Sequence, residues 1–251
     1  MNFFRKLKLA QLTKKLKKKV NEDEREYILS TIKKGQTAFD IGAHTGAFTY
    51  FMQQAVGENG KVYAFEPQSS PRKLFLQNKE LLSWENVVVN NLALSDSKGS
   101  TTLHVPSYKG KEDSEGATIL VHPDKKLYTT ETVTTDTIDS FCKQHNLSPS
   151  FIKIDVEGNE LKVLQGSVDT INKYNPKLFV EIEARHCGEE QALKTFELLN
   201  GLGYKCWIFF KNERVSLEQF NIYEVMRVPY CNNFIFEKDK ITDAWSTKSK
   251  G

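Results

Sequence analysis

Four carboxylates stand where short apolar, β-branched runs end: Asp40 in FDIGAHTGAFT, Glu66 in VYAFEP, Asp155 in IKIDVEG and Glu181 in KLFVEIEA. An acid in such a position can accept a ligand hydroxyl or ammonium, take up a proton, or hold a hard cation. The first of them stands beside a glycine turn. A strand that runs through glycines into a helix presents unpaired backbone N–H groups, which commonly receive phosphate. Dinucleotide folds use G-x-G-x-x-G there. This chain instead has Asp40-x-Gly42 and then Gly46, with His44 in place of the glycine that lets a pyrophosphate approach.

Asp40 sharpens the distinction, because two like unit charges a few ångströms apart repel by about 1 to 4 kcal/mol depending on local dielectric. A carboxylate beside the turn therefore opposes a diphosphate and favours a cation. S-adenosylmethionine carries a sulfonium and an ammonium, and Asp40 is expected to accept the ammonium directly or through water. Glu66, at the end of the second strand, is placed to accept both hydroxyls of an adenosine ribose, with an ordinary surface acid as the alternative. That residue does not separate NAD from S-adenosylmethionine, since both contain the diol. The third strand end, residues 90–93 with Asn91 and Ala93, is expected beside the adenine.

These residues need a scaffold, and the alternation of strand-like and helix-like segments from residue 37 onward predicts βαβ units on a parallel sheet. TAFDIG is the first strand, followed by a helix over 46–56; KVYAFEP is the second. SSPRKLFLQNKELLS reads as a helix capped by Ser70, with Pro71 in its first turn. ENVVVNNLAL is the third strand. Residues 100–135 then read as an inserted loop: β-branched runs at 101–105 and 131–135 flank a polar, glycine-containing stretch, either a lid or a mobile connection. A short helix over 136–145 with Asp136 as cap leads into FIKIDVEG, the fourth strand. ELKVLQGSVDTINKY is read as one helix, KLFVEIEA as the fifth strand, EEQALKTFELLNGLGY as a further helix, and KCWIFF with NNFIFEK as a last strand pair.

Composition narrows the function classes. With 251 residues the chain suits one domain with terminal additions: a basic helical segment at 1–34, a body at 35–238 and a polar tail at 239–251. Lys plus Arg exceeds Asp plus Glu by three, yet residues 1–20 hold eight basic side chains and no acid, so the remainder is slightly acidic. A basic tail without a basic body argues against nucleic-acid binding. Leu9, Leu12, Leu16 and Val20 recur at helical spacing, which suits either a helix covering the domain or an interfacial helix contacting anionic lipid weakly, with Phe3 and Phe4 inserted. No segment has the roughly 20 apolar residues of a bilayer span. Cys142, Cys187, Cys206 and Cys231 are scattered, without zinc or disulfide spacing, which fits a cytoplasmic protein.

FDIGAHTGAFT, VYAFEP, NNLALSD and IKIDVEGNELKVLQG, in that order, resemble the FkbM-type S-adenosylmethionine-dependent O-methyltransferases over roughly residues 36–185. The resemblance implies a class I methyltransferase fold: an α/β, Rossmann-like three-layer sandwich with a seven-stranded sheet of order 3-2-1-4-5-7-6, strand seven antiparallel. It also implies methyl transfer to a hydroxyl of a sugar, glycan or other small molecule. Asp40, Gly42, Ala43, His44, Thr45, Gly46, Glu66 and Pro67 would line the cofactor site, with Asp155 near the reacting end.

An aliphatic hydroxyl needs a general base, or a metal that lowers its pKa, as it attacks the methyl group. Asp155, Glu157, Glu160, Glu181, Glu183 and His186 cluster at the carboxyl ends of the fourth and fifth strands, where open α/β sheets bind ligands. Asp155 with Glu181 is the preferred pair for Mg²⁺; alternatively one of them caps a helix or pairs with Lys153 or Lys162. His186 is the candidate base, with His104 and His122 competing. Glu157 either orients its turn or touches substrate. Tyr108 and Tyr128 flank the insertion and either stack on a sugar or pack a lid. A nicotinamide oxidoreductase and a catalytically silent binding domain are the two other classes; the former lacks the second turn glycine, and no motif residue is missing to support the latter.

Overall fold

The computed structural model describes residues 3–108, 111–112, 117–120, 128–210, 213–219, 221–225 and 232–238. The basic N-terminal segment forms two helices, α1 (Phe3–Lys18) and α2 (Glu22–Thr31). Asn21 divides them: its side chain and Glu24 form a reciprocal capping box that starts α2. The later part of α1 and the turn after it cover the domain, with Leu16 and Val20 buried and Leu12 packed beside them. The side chains of Phe3 and Phe4 lie outside the described residues. No helix among the described residues is long and apolar enough to cross a membrane.

The central sheet is built from β1 (Thr37–Ile41), β2 (Lys61–Phe65) and β3 (Val87–Asn90), linked by α3 (Ala47–Val56) and α4 (Ser69–Leu82). After the insertion come α5 (Ile138–His145), β8 (Phe151–Ile154), α6 (Glu160–Gln165), α7 (Val168–Tyr174), β9 (Lys177–Glu181), α8 (Ala184–Cys187) and α9 (Glu189–Gly201). The last described elements are β10 (Lys205–Phe210), β11 (Glu213–Ser216), α10 (Ile222–Val225) and β12 (Asn233–Glu237). The sheet order is β11-β10-β12-β9-β8-β1-β2-β3, with β12 antiparallel to both neighbours. Seven of these strands have the order implied by the resemblance. The eighth, β11, corrects the expected count: it pairs antiparallel with β10 at the edge, and its charged Glu213 and Arg214 hid it from an apolar strand pattern.

Strand alternation splits the core into two layers. Phe39, Ile41, Ile152, Ile154, Leu178 and Val180 face α5, α6, α7 and α9, while Ala38, Phe151, Phe179 and Ile235 face α1 to α4. This is a three-layer α/β/α sandwich.

Several local expectations are corrected. Gln68, not Ser70, caps α4, and Pro71 lies in the first turn as expected. Thr137, not Asp136, caps α5, its side chain accepting from Ser140 N at 3.0 Å; Asp136 ends a strand instead. The single helix read after Asp155 breaks at Gly166, where a Cβ would lie 2.1 Å from Ser95 O. The inserted segment is mainly a β-ribbon, not a loop: β5 (Gly99–Tyr108) pairs antiparallel with β7 (Tyr128–Asp136), flanked by the short strands β4 (Ala93–Leu94) and β6 (Lys111–Glu112). His122, the tail at 239–251 and the side chains of Tyr108 and Tyr128 lie outside the described residues.

Candidate functional site

A cavity of about 330 Å³ opens at the carboxyl ends of β1, β2 and β8, roofed by the inserted ribbon. Gly42, Ala43, His44 and Thr45 of the first turn line it, with Glu66, Pro67, Ala93 and Asp155. Asp40, Gly46, Asn91, Glu181 and His186 do not. The wall is completed by Gln68, Leu92, Lys153, Glu157 and Asn159, together with Lys19, Leu103 and Thr118.

The turn is shaped by the protein's own packing. Gly42 has φ 75°, and a Cβ there would come within 1.7 Å of the backbone oxygen of Asp155, so β8 can pass beside β1 only because this position has no side chain. Gly46, at φ 88°, caps α3, and a Cβ would press on Phe75 and Trp84 at 3.0 and 3.1 Å. Most of the turn's N–H groups are also taken up. Gly42 N and Ala43 N donate to Phe65 O at 3.0 Å each, Gly46 N donates to Ala43 O at 2.8 Å, and His44 N donates to the Glu66 carboxylate at 2.7 Å.

Asp40 lies under the turn, fully buried, not in the cavity where a ligand ammonium was expected. Thr49 Oγ1 donates to it, and Lys153 Nζ stands 3.9 Å away. Burial raises its pKa, opposed by Lys153. Lys153, 2% exposed, also donates to Asp155 at 2.8 Å. Burial alone would lower the Lys153 pKa, but Asp155 and Asp40 push it up to about 12. Asp155 shows the converse balance: burial raises it, while Lys153 and a hydrogen bond with Glu181 bring it below the usual range. Glu181 is raised far above its ordinary value by burial and by the Asp155 charge, so it holds a proton.

That pair does not fit Mg²⁺. One carboxyl is protonated, the other is neutralised by a buried ammonium, and Asn232 Nδ2 donates to Glu181 as well. A divalent cation would have to displace Lys153 against its charge. Among the described residues no three His, Cys, Asp or Glu side chains group as a metal site.

His186 lies behind the cavity wall, its Nδ1 2.7 Å from Glu157 Oε2 and its Nε2 3.5 Å from Glu183 Oε2. Burial lowers its pKa, but the two carboxylates raise it overall, which favours imidazolium. His104, by contrast, sits in the ribbon, bridged through its backbone to Thr118. Glu157 reaches the cavity from a left-handed conformation, φ 54°, costly for a side chain with a Cβ. Thr118 Oγ1 holds its carbonyl at 2.7 Å, and burial raises its pKa. Glu160 instead caps the loop, accepting from Val156 N and Gly158 N at 3.0 and 3.1 Å.

Glu66 is 6% exposed and accepts from Gln68 N at 2.9 Å besides His44 N. Burial pushes it up to about 7 against those two bonds. Sequence reasoning passed over Gln68 and Asn159 because polar residues after a strand or before a helix look like ordinary turn and cap residues. Glu157, read from the sequence as either orienting its turn or touching substrate, stands in the cavity wall.

The profile of the family described as Methyltransferase FkbM domain matches residues 40–206. Among solved structures, the methyltransferase FkbM from Methylobacillus flagellatus KT superposes with a TM-score of 0.51 at 14% identity, covering 90% of this chain and 58% of that one. The chain thus spans under two thirds of that relative's length. An O-methyltransferase from Bacillus cereus, solved in complex with SAH, gives a TM-score of 0.53 at 11% identity, covering 96% of this chain and 92% of that one. These likenesses show the fold. Among curated proteins, none matches.

Proposed function

Because the chain belongs to the family of FkbM methyltransferases, we propose that it transfers the methyl group of S-adenosylmethionine to a hydroxyl of a small molecule, a sugar or glycan being the first acceptor class to test. The observation that carries the cofactor reading is the use of the glycine turn. Its N–H groups at positions 42, 43, 44 and 46 are bonded within the protein, while Glu66, Asp155 and Glu157 line the cavity. Lys153 neutralises Asp155, but a turn whose N–H groups are already bonded offers a diphosphate little, and the Glu66 and Glu157 carboxylates oppose one.

In this reading the methionyl end lies on residues 42–45 near Asp155, and the ribose hydroxyls donate to Glu66. The base lies over Pro67, Leu92 and Ala93. Asp40 acts from beneath, holding Lys153 and through it Asp155. The Bacillus cereus protein's complex with SAH supports the cofactor class. Methyl transfer is an in-line displacement, in which fixing the acceptor oxygen against the methyl group supplies several kcal/mol. The carboxylate available to take the hydroxyl proton is Glu157, because it lines the cavity whereas His186 and Glu181 do not. His186 stands behind Glu157 as its hydrogen-bond partner. The scattered cysteines, without disulfide or zinc spacing, support a cytoplasmic location.

Incubation with methyl-labelled S-adenosylmethionine and a panel of sugars, oligosaccharides and hydroxylated small molecules tests this. Label should appear as an ether. Label found only on nitrogen, carbon or carboxyl acceptors would overturn the hydroxyl reading.

A further inference from the structure

Five buried side-chain polar atoms meet no hydrogen-bond partner among the described residues: Arg25 Nε, Asp40 Oδ1, Gln68 Nε2, Asn159 Oδ1 and Arg214 Nε. Three are accounted for by their surroundings. The Arg25 and Arg214 guanidinium groups lie over aromatic rings, and Asp40 faces Lys153. The other two belong to residues that line the cavity, Gln68 at 1% and Asn159 at 4% exposure. A buried amide atom left unpaired is costly, so its presence beside a cavity points to a ligand atom that completes it.

The orientation of Asn159 is set by its neighbours. Its Nδ2 donates to Leu94 O and Ser95 Oγ, at 3.4 Å each. A carbonyl only accepts, so the amide nitrogen must face Leu94, and Oδ1 is left as an acceptor. This contact ties the start of α6 to the segment just past β3, and Asn159 and Leu94 both line the cavity. Gln68 lies two residues past Glu66 and caps α4. Both amides line the same cavity as Glu66, together with the apolar Leu92, Ala93 and Leu103.

We propose that Asn159 Oδ1 accepts from the exocyclic amine of the cofactor's adenine while Gln68 Nε2 donates to a ring nitrogen, so that these two buried amides read the base. An amine donor next to ring acceptors is the pattern of adenine. In hypoxanthine a carbonyl replaces the amine, and its oxygen would face Asn159 Oδ1. This assignment rests on the S-adenosylmethionine reading and adds to it the residues that choose the base.

The test is calorimetric titration of the full chain with S-adenosylhomocysteine and with S-inosylhomocysteine, which carries a carbonyl in place of that amine and a proton on the neighbouring ring nitrogen. Wild type should prefer the adenosyl compound by about tenfold or more, the cost of a mispaired buried polar group. Asn159→Leu and Asn159→Ala should lower adenosyl affinity by a similar factor and leave inosyl affinity within about twofold. Asn159→Asp, which keeps an acceptor, should retain the preference. Gln68→Leu should weaken binding of the adenosyl compound. A wild-type protein that binds both compounds equally overturns the inference without recourse to variants, as does a folded Asn159→Ala that keeps the wild-type ratio. A wild-type protein that binds neither compound overturns the cofactor reading, and this inference with it.

Discussion

Cofactor binding should release a proton from Glu66. Burial holds this carboxyl at about 7 in spite of the N–H groups of Gln68 and His44 that bond it. At neutral pH it is therefore divided between its acid and ionised forms. A ribose diol donates two hydroxyl hydrogens and needs the ionised form as acceptor, so binding lowers the pKa. The sign follows: affinity rises as pH increases through about 7 and levels off above it. If the bound carboxyl is fully ionised, about half a proton leaves on binding near neutrality, and affinity falls roughly twentyfold between about pH 7.5 and about pH 5.5. Titrating S-adenosylhomocysteine in buffers of different ionisation enthalpy measures the proton count directly. Glu66→Gln should bind about tenfold or more weakly, with both the proton release and this pH dependence abolished. Glu160 also stands at about 7, which makes the variant the deciding control. Binding without proton release, or a Glu66→Gln protein with the wild-type pH profile, would refute the reasoning.

Three further substitutions separate scaffold from chemistry. Gly42→Ala must move its Cβ away from Asp155 O, now 1.7 Å distant, at a left-handed φ; a loss of at least about 3 kcal/mol is expected in urea unfolding, and a loss below about 1 kcal/mol would contradict the close-approach argument. Lys153→Met leaves Asp40 and Asp155 without their buried cation and should cost about 3 to 5 kcal/mol in the same assay. Unchanged stability would show that the lysine is dispensable. Glu157→Gln should reduce turnover on an identified acceptor by about a hundredfold or more while S-adenosylhomocysteine affinity stays within a few-fold. Undiminished turnover removes Glu157 as the proton acceptor.

The parallel body of the sheet was legible because its strands, TAFDI, KVYAF, FIKI and KLFVE, are short apolar runs closed by polar turns, and their order follows from βαβ handedness. The ribbon was half legible: its β-branched runs at 101–105 and 131–135 are central parts of β5 and β7, but pairing between residues 30 apart leaves no local trace. Asp40 shows the limit at the site. Its place at a strand end and beside a glycine turn could be read, yet whether its carboxylate points into the cavity or beneath it depends on Thr49 of the next helix and on Lys153, from a strand distant in sequence. The same holds for Glu181 and His186. Their strand-end positions predicted a common site, but the structure sets Glu181 behind Asp155 and His186 behind Glu157, because the two carboxylates nearest the cavity are already at its wall. Gly42 and Gly46 were expected to line the cofactor site; Gly42 does, but the place its Cβ would take is filled by Asp155, and that of Gly46 by Phe75 with Trp84.

The central claim, that the cavity holds a sulfonium methyl donor and not a dinucleotide, is tested most directly by calorimetric titration of the full chain with S-adenosylhomocysteine and with NADH. Saturable binding of the homocysteine compound, with one site per chain and no measurable NADH binding, is the expected result. Saturable NADH binding with none for S-adenosylhomocysteine would contradict the account.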